Sequence, residues 1–204
     1  MIPNEIYEEF YRIGKYLDQH DLVSSHGGNI SVRIGNKILI KRRGAMLGNL
    51  KPTDLVEVPL YENDSSIMIS STETGVHRAI YLQTPALAVI HAHPPHAIAL
   101  SLVEDSIIAV DAEGAFYIKK IPVIDQKHPV GPIESAKNVP LFLKNYPCCM
   151  VRSHGIFSRG TTLEEALMYV SIAEEISKIR YMSLILNHIG LPLKKDPSKF
   201  FEKW

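Results

Sequence analysis

An α/β fold on a single domain is what the sequence predicts, and three features predict it. Apolar side chains recur at spacings of three and four near both ends, with Ile6, Tyr7, Phe10, Ile13, Tyr16 and Leu17 in one stripe and Leu163, Ala166, Leu167, Val170, Ala173, Ile176, Ile179 and Met182 in another, which is the helical period. Between them lie short apolar and β-branched runs bounded by Gly, Pro and Asn, the pattern of strands. The chain has 204 residues, 46% of them hydrophobic and 22% charged, enough to bury a core without disulfide staples.

Lys and Arg number 22, and so do Asp and Glu. No global field therefore draws the protein to nucleic acid or membrane, and any anionic ligand must be held by a local site. The opening M-I-P-N-E-I-Y-E-E-F has no basic region followed by an apolar core, and no window reaches the roughly 18 apolar residues of a membrane span. A cytoplasmic protein is expected. Cys148 and Cys149 are the two cysteines; adjacent thiols do not make an unstrained bridge, so they read as buried small hydrophobes in a reducing compartment.

The first helix is expected over Asn4–Gln19, with Asn4 as its cap. Residues 24–33, S-S-H-G-G-N-I-S-V-R, open as a glycine turn and continue as a strand. The turn is either a simple reversal or a cradle in which backbone N–H groups and the Asn29 amide meet an anion, and His26 reads as a turn residue. Gly35-Asn36 joins strands at 29–34 and 37–41 in a hairpin. K-R-R-G at 41–44 is a solvated charge cluster or a phosphate contact through Arg43 or the Gly44 N–H. Pro52-Thr53-Asp54 turns into a strand at 55–60, and a further short strand is expected at 67–70.

Residues 70–81, S-S-T-E-T-G-V-H-R-A-I-Y, run through hydroxyl residues into a helix whose start suits an anion. Ser71 and Thr72 can add donors, while Glu73 and His77 fall one turn apart on one face. Farther on, Pro94 and Pro95 open a helix through Leu102. Strands are expected at 106–110 and 116–123 around D-A-E-G, and Gly131-Pro132 introduces a helix at 135–143. Thr162 and Glu165 form a capping box for the last helix, which runs to about Leu186 as core or subunit contact. The tail of about 190–204 is polar from Pro192 on, with Phe200, Phe201 and Trp204 as anchors for a neighbour.

The chemistry gathers in residues 88–97, A-V-I-H-A-H-P-P-H-A. Alternate side chains of a strand share a face, so His91 and His93 point the same way with Cα atoms roughly 6.5–7 Å apart. Zinc binds nitrogen at about 2.0–2.1 Å, and a catalytic zinc takes three protein ligands and keeps a position open. His154 ends an apolar strand that passes Cys148, and the glycine after it lets backbone run close to a site; it is the candidate third ligand. Cys149 falls on the opposite strand face, and Cys148 lies about 20 Å from His154 at roughly 3.3 Å per residue. The prolines turn His96 away, leaving it a partly buried structural residue. A purely structural zinc would need a fourth His or Cys, for which the chain has no well-spaced candidate.

Taken together, S-H-G-G-N-I-S-V-R, S-S-T-E-x-x-x-H, V-I-H-A-H-P-P-H and R-S-H-G-I-F-S-R-G, in this order and at these separations, resemble the class II aldolase/adducin family over about residues 5–186. The resemblance implies a three-layer α/β/α fold with a mainly antiparallel central sheet, and a cyclic homotetramer with sites near subunit interfaces. It implies that His91, His93 and His154 bind Zn2+, or another divalent cation such as Co2+ or Mn2+. Glu73 would flank or ligate the metal in the empty site and act as the catalytic base when substrate displaces it. Phosphate contacts would come from Gly28, Asn29, Ser71, Thr72 and the backbone of Gly44, with Arg43 standing where the aldolases carry threonine.

The implied reaction is the metal-dependent cleavage or formation of a ketose 1-phosphate, giving dihydroxyacetone phosphate and an aldehyde, without a Schiff-base lysine. The aldolases also use a tyrosine of the neighbouring subunit as proton donor; the matching stretch here, V-D-A-E-G-A-F-Y, has Asp111 at that position and Tyr117 farther on. Pentulose-phosphate epimerases of the family carry Asp in place of Glu73, so the glutamate argues against that branch. Decarboxylases and dehydratases keep a similar histidine triad, whereas adducin-type interaction domains keep the fold without it.

Overall fold

A computed structural model describes residues 2–194, so Phe200, Phe201 and Trp204 of the expected tail lie outside the described residues. Eight strands form one sheet in the order β3-β2-β1-β4-β8-β7-β6-β5. They are Asn29–Ile34 (β1), Lys37–Lys41 (β2), Leu55–Pro59 (β3), Ala88–Ala92 (β4), Ser106–Ile108 (β5), Lys120–Ile124 (β6), Cys148–Val151 (β7) and Gly155–Gly160 (β8). Only β6 and β7 pair in parallel. The sheet is therefore mainly antiparallel, as expected.

Strand alternation sorts the core into two layers. Leu39, Ile90, Cys148, Met150 and Ile156 face Phe10 and Leu17 of α1 (Asn4–Gln19), Leu100 of α3 (Pro95–Ser101), Ala115 of α4 (Ala112–Tyr117) and Val170 of α6 (Leu163–His188). Ile38, Ile40, Val89, Cys149, Val151 and Phe157 face Val76 and Ile80 of α2 (Thr74–Gln83) and Val139 and Leu143 of α5 (Pro132–Leu143). Strands covered on both faces read as unbroken apolar runs, which explains C-C-M-V and A-V-I. Helices on both sides of one sheet give the α/β/α layering. Among the described residues no helix is long and apolar enough to cross a membrane.

The hairpin forms at the expected residues, with Ile34 opposite Lys37 and Gly35 at φ +59° in its two-residue loop. Elsewhere local chemistry overrides the expectation. The first helix is preceded by Pro3 and has no side-chain cap, so Asn4 is helical rather than capping. Residues 67–70 are not a strand: the Asp64 carboxylate accepts the Ser66 N–H at 2.9 Å and starts a single 3-10 turn over Ser65–Met68. Residues 116–123 begin as helix, because Asp111 accepts the Gly114 N–H at 2.6 Å and opens α4, and only Lys120–Ile124 is strand. The last helix is capped by Thr162, which accepts the Glu165 N–H at 3.1 Å. The Glu165 carboxylate binds back to Thr161 instead of Thr162, so the box is shifted by one residue.

Candidate active site

His91, His93 and His154 meet beside the C-terminal end of β4. Because β4 lies between β1 and β8, His91 stands opposite Asn29 on one side and Phe157 on the other. His93 follows the strand, its N–H donating to the Leu22 carbonyl at 2.7 Å before the prolines begin α3. His154 sits in the turn between β7 and β8, where Ser153 takes φ +60°. The Ser153 N–H donates to Ser101 Oγ at 3.0 Å and the Arg152 guanidinium donates to the Ser101 carbonyl, so the turn is pinned to the end of α3. One nitrogen from each ring lies within 4.8 Å of the other two.

Glycine backbone makes room for the rings. A Cβ at Gly155 would lie 2.6 Å from His93 Cδ2 and 2.8 Å from His91 Cε1, and one at Gly27 would lie 2.9 Å from His93 Nδ1. Both imidazoles therefore rest against bare backbone.

Burial holds the three imidazoles neutral, since desolvation disfavours the charged ring. His91 is held well below its ordinary range, His93 is lowered to about 4 and His154 is also lowered. His91 Nδ1 lies 3.0 Å from the Ile156 carbonyl, and a neutral ring must carry its proton there. Its Nε2 then presents a lone pair to the cleft, 3.0 Å from His93 Nε2 and 3.3 Å from Glu73 Oε2. His154 Nδ1 is buried without a hydrogen-bond partner among the described residues. His93 Nε2 can donate an N–H to the His91 lone pair or, with its proton on Nδ1, add a second lone pair that a cation would bind. Nitrogen ligands about 2.0–2.1 Å from a tetrahedral zinc would stand roughly 3.3 Å apart, close to the 3.0 Å between His91 and His93, with a His154 nitrogen within 4.8 Å of both. The donor set thus fits a divalent cation, with three histidines in the group and the cleft opening beside them.

Glu73 immediately precedes α2 and is 7% exposed. The Asn29 amide donates to its Oε2 at 2.7 Å. Burial pushes the carboxyl up to about 7, opposed by the Asn29 hydrogen bond and the Lys41 charge. A carboxyl poised near neutrality can both take and return a proton.

Gly28, Asn29, Arg43, Gly44, Ser71 and Thr72 line one cleft of ≈ 260 Å³ together with Glu73 and the three histidines. All the expected site residues are brought together. The expectation of free amides before α2 holds only in part, because the Ser71 N–H donates to the Lys41 carbonyl at 3.1 Å and the Glu73 N–H to Ser71 Oγ at 3.3 Å. Asp111 caps α4, and neither it nor Tyr117 lines the cleft of its own chain. His96 turns away and pairs with Glu174 at 2.6 Å, the structural role expected.

Val130 was not singled out from sequence, while His26 read as a turn residue and Lys41 as part of a charge cluster, and all three line the cleft. Lys41 is 3% exposed and donates to the His26 carbonyl at 3.1 Å; burial lowers it to about 8. Its signal was present in K-I-L-I-K, where it shares the inward face of Leu39 and its ammonium must find a polar partner.

Residues 8–181 match the family model for the Class II Aldolase and Adducin N-terminal domain. A relative named L-fuculose phosphate aldolase, from Methanococcus maripaludis, is 30% identical over 175 residues, covering 85% of this chain and 95% of that one. A methylthioribulose-1-phosphate dehydratase from Methylococcus capsulatus is 29% identical over 182 residues, covering 81% of this chain and 88% of that one. The crystal structure of L-fuculose-1-phosphate aldolase from Thermus thermophilus superposes with a TM-score of 0.87 at 33% identity, covering 94% of this chain and 100% of that one. On fold, triad and sequence alike, the chain belongs to the class II aldolase and adducin N-terminal domain family.

Proposed function

We propose that the chain is a zinc-dependent aldehyde-lyase that cleaves or forms a ketose 1-phosphate such as L-fuculose 1-phosphate, with dihydroxyacetone phosphate and an aldehyde on the other side of the reaction. The observation that carries this reading is Glu73, a buried carboxyl held near pH 7, 3.3 Å from His91 Nε2 in a cleft walled by hydroxyls and cations. In this reading His91, His93 and His154 hold the cation. Bound there, it supplies Lewis-acid stabilisation of negative charge on a substrate oxygen.

The phosphate is assigned to Gly28, Asn29, Arg43, Gly44, Ser71 and Thr72, with the Lys41 ammonium adding charge from the wall. Holding that end orients the reacting carbon toward Glu73 and removes much of the entropic barrier. In bond formation Glu73 takes a proton from the hydroxymethyl carbon of dihydroxyacetone phosphate; in cleavage it returns the proton to that carbon. Asn29 and His91 both meet Oε2, which leaves Oε1 to carry the proton. The working form in this reading is a cytoplasmic homotetramer.

A second reading, dehydration of a methylthioribulose 1-phosphate, is supported by the 29% identical relative and would use the same phosphate wall and carboxyl. The deciding experiment offers zinc-loaded protein a panel of aldehydes with dihydroxyacetone phosphate, with ketopentose phosphates, acid phosphates and methylthioribulose 1-phosphate in parallel. Ketose 1-phosphate product is expected. Turnover of methylthioribulose 1-phosphate alone would move the chain to the second reading.

A further inference from the structure

Glu73, His77 and Tyr81 recur at four-residue intervals along the start and body of α2, and each meets a polar group of β1. Glu73 accepts from Asn29 Nδ2 at 2.7 Å, His77 Nδ1 lies 2.7 Å from Ser31 Oγ, and the Tyr81 hydroxyl lies 2.7 Å from the same Oγ. Tyr81 also donates to the Ser31 carbonyl at 2.9 Å. Four helical residues rise about 6 Å and two strand residues about 6.7 Å. The helix and the strand therefore keep step from Glu73–Asn29 to His77–Ser31.

One proton arrangement uses every hydrogen of this seam once. His77 Nδ1–H donates to Ser31 Oγ, Ser31 Oγ–H to the Tyr81 oxygen, and Tyr81 O–H to the Ser31 carbonyl. It leaves His77 Nε2 as a buried lone pair without a partner among the described residues. Ser31 and His77 are 0% exposed and Tyr81 is 1% exposed. An unpaired polar atom at such depth is destabilising, and an apolar side chain there would avoid the loss. Stability alone does not account for the histidine. Its ring also meets Phe157 edge-on at 6.4 Å, and Phe157 stacks on His91 at 4.2 Å.

We propose that His77, acting with Ser31 and Tyr81, is a positioning residue: the buried seam fixes the axial register of α2 on β1, and that register sets the Glu73 carboxyl between Asn29 and His91. Val76 and Ile80 bury the same helix, but apolar packing is non-directional, whereas hydrogen bonds specify one alignment. The inference rests on the proposed role of Glu73 as base.

The test compares His77→Leu, His77→Asn, Ser31→Ala and Glu73→Gln for metal content, thermal midpoint, and the kcat and KM of hydrogen exchange on dihydroxyacetone phosphate. His77→Leu removes the donor and fills the space with apolar atoms; His77→Asn returns an N–H near the place of Nδ1. Metal content at the parent level is expected throughout, with KM within about twofold. In His77→Leu and Ser31→Ala kcat falls about tenfold or more, as small misplacements of a catalytic group do, while His77→Asn recovers to within about threefold. The thermal midpoint of His77→Leu stays at or above that of the parent. If His77→Leu fails to fold, Ser31→Ala, which loses a single oxygen, carries the same expectation. Parent-like kcat in both variants beside an inert Glu73→Gln would overturn the inference and leave the base assignment intact, as would losses that only track missing metal. A parent without exchange, or a Glu73→Gln that exchanges normally, would instead overturn the proposed function and this inference with it.

Discussion

The Asn29 amide donates to Glu73 Oε2 at 2.7 Å, and Asn29 is itself the cross-strand partner of His91. One asparagine thus ties the carboxyl before α2 to the strand that carries a histidine of the triad. The same hydrogen bond stabilises the ionised carboxylate, opposing the desolvation that raises it.

Replacing Glu73 by Gln preserves shape and removes the carboxyl proposed above to carry the proton. The variant is expected to keep its metal and to lose hydrogen exchange on dihydroxyacetone phosphate by about 10²-fold or more. Exchange followed by NMR in deuterated solvent checks this, and a parent-like rate would remove Glu73 from the base role.

Asn29→Ala deletes the contact that favours the charged form of Glu73, so the carboxyl moves up from about 7. A higher value leaves less carboxylate at neutral pH, and the acid limb of the kcat profile shifts toward alkaline pH. A limb that stays in place or moves to lower pH contradicts the electrostatic account.

Gly155→Ala introduces a Cβ 2.6 Å from His93 Cδ2, 2.8 Å from His91 Cε1 and 2.5 Å from the Ala92 carbonyl oxygen. Strand backbone cannot yield as a flexible side chain would, so the rings must move. Metal affinity, measured by competition with a chelating dye, is expected to fall by about 10- to 100-fold. Unchanged affinity would show that the rings do not need the bare backbone.

The metal-free protein is expected to lose stability on acidification. His77 is held near 3 and His93 near 4, both below the ordinary 6.5. Between those values and 6.5 the unfolded chain binds protons that the folded chain excludes, so stability from the histidines is present above about 6.5 and drains as pH falls through the window. Glu73, raised from 4.5 to about 7, works in the opposite direction but is outweighed by the two histidine contributions together. Thermal midpoints should decline steadily from pH 7 to 4; a flat profile contradicts the buried neutral histidines.

Sequence made visible those features whose cause is local. Gly35-Asn36 declares its hairpin through turn chemistry, and the alternation around His91 and His93 sets their shared face. The gathering of His154 with them was legible from its glycine and the family pattern. Asp111 was not, since A-E-G-A-F-Y reads as a strand approach until the carboxylate captures the Gly114 N–H. Gly114 also passes so near Ile176 of α6 that a Cβ would overlap it; that contact depends on tertiary packing, which overrides propensity. The pairing of His77 with Ser31 likewise depends on how α2 lies across β1, a relationship invisible along the chain.

The central claim is that His91, His93 and His154 hold one catalytic divalent cation, and chelation tests it most directly. After exhaustive treatment with a strong chelator, metal content and ketose 1-phosphate cleavage are predicted to fall together, and added zinc or cobalt is predicted to restore both at one ion per chain. Cleavage that persists in protein shown to be metal-free would contradict the account.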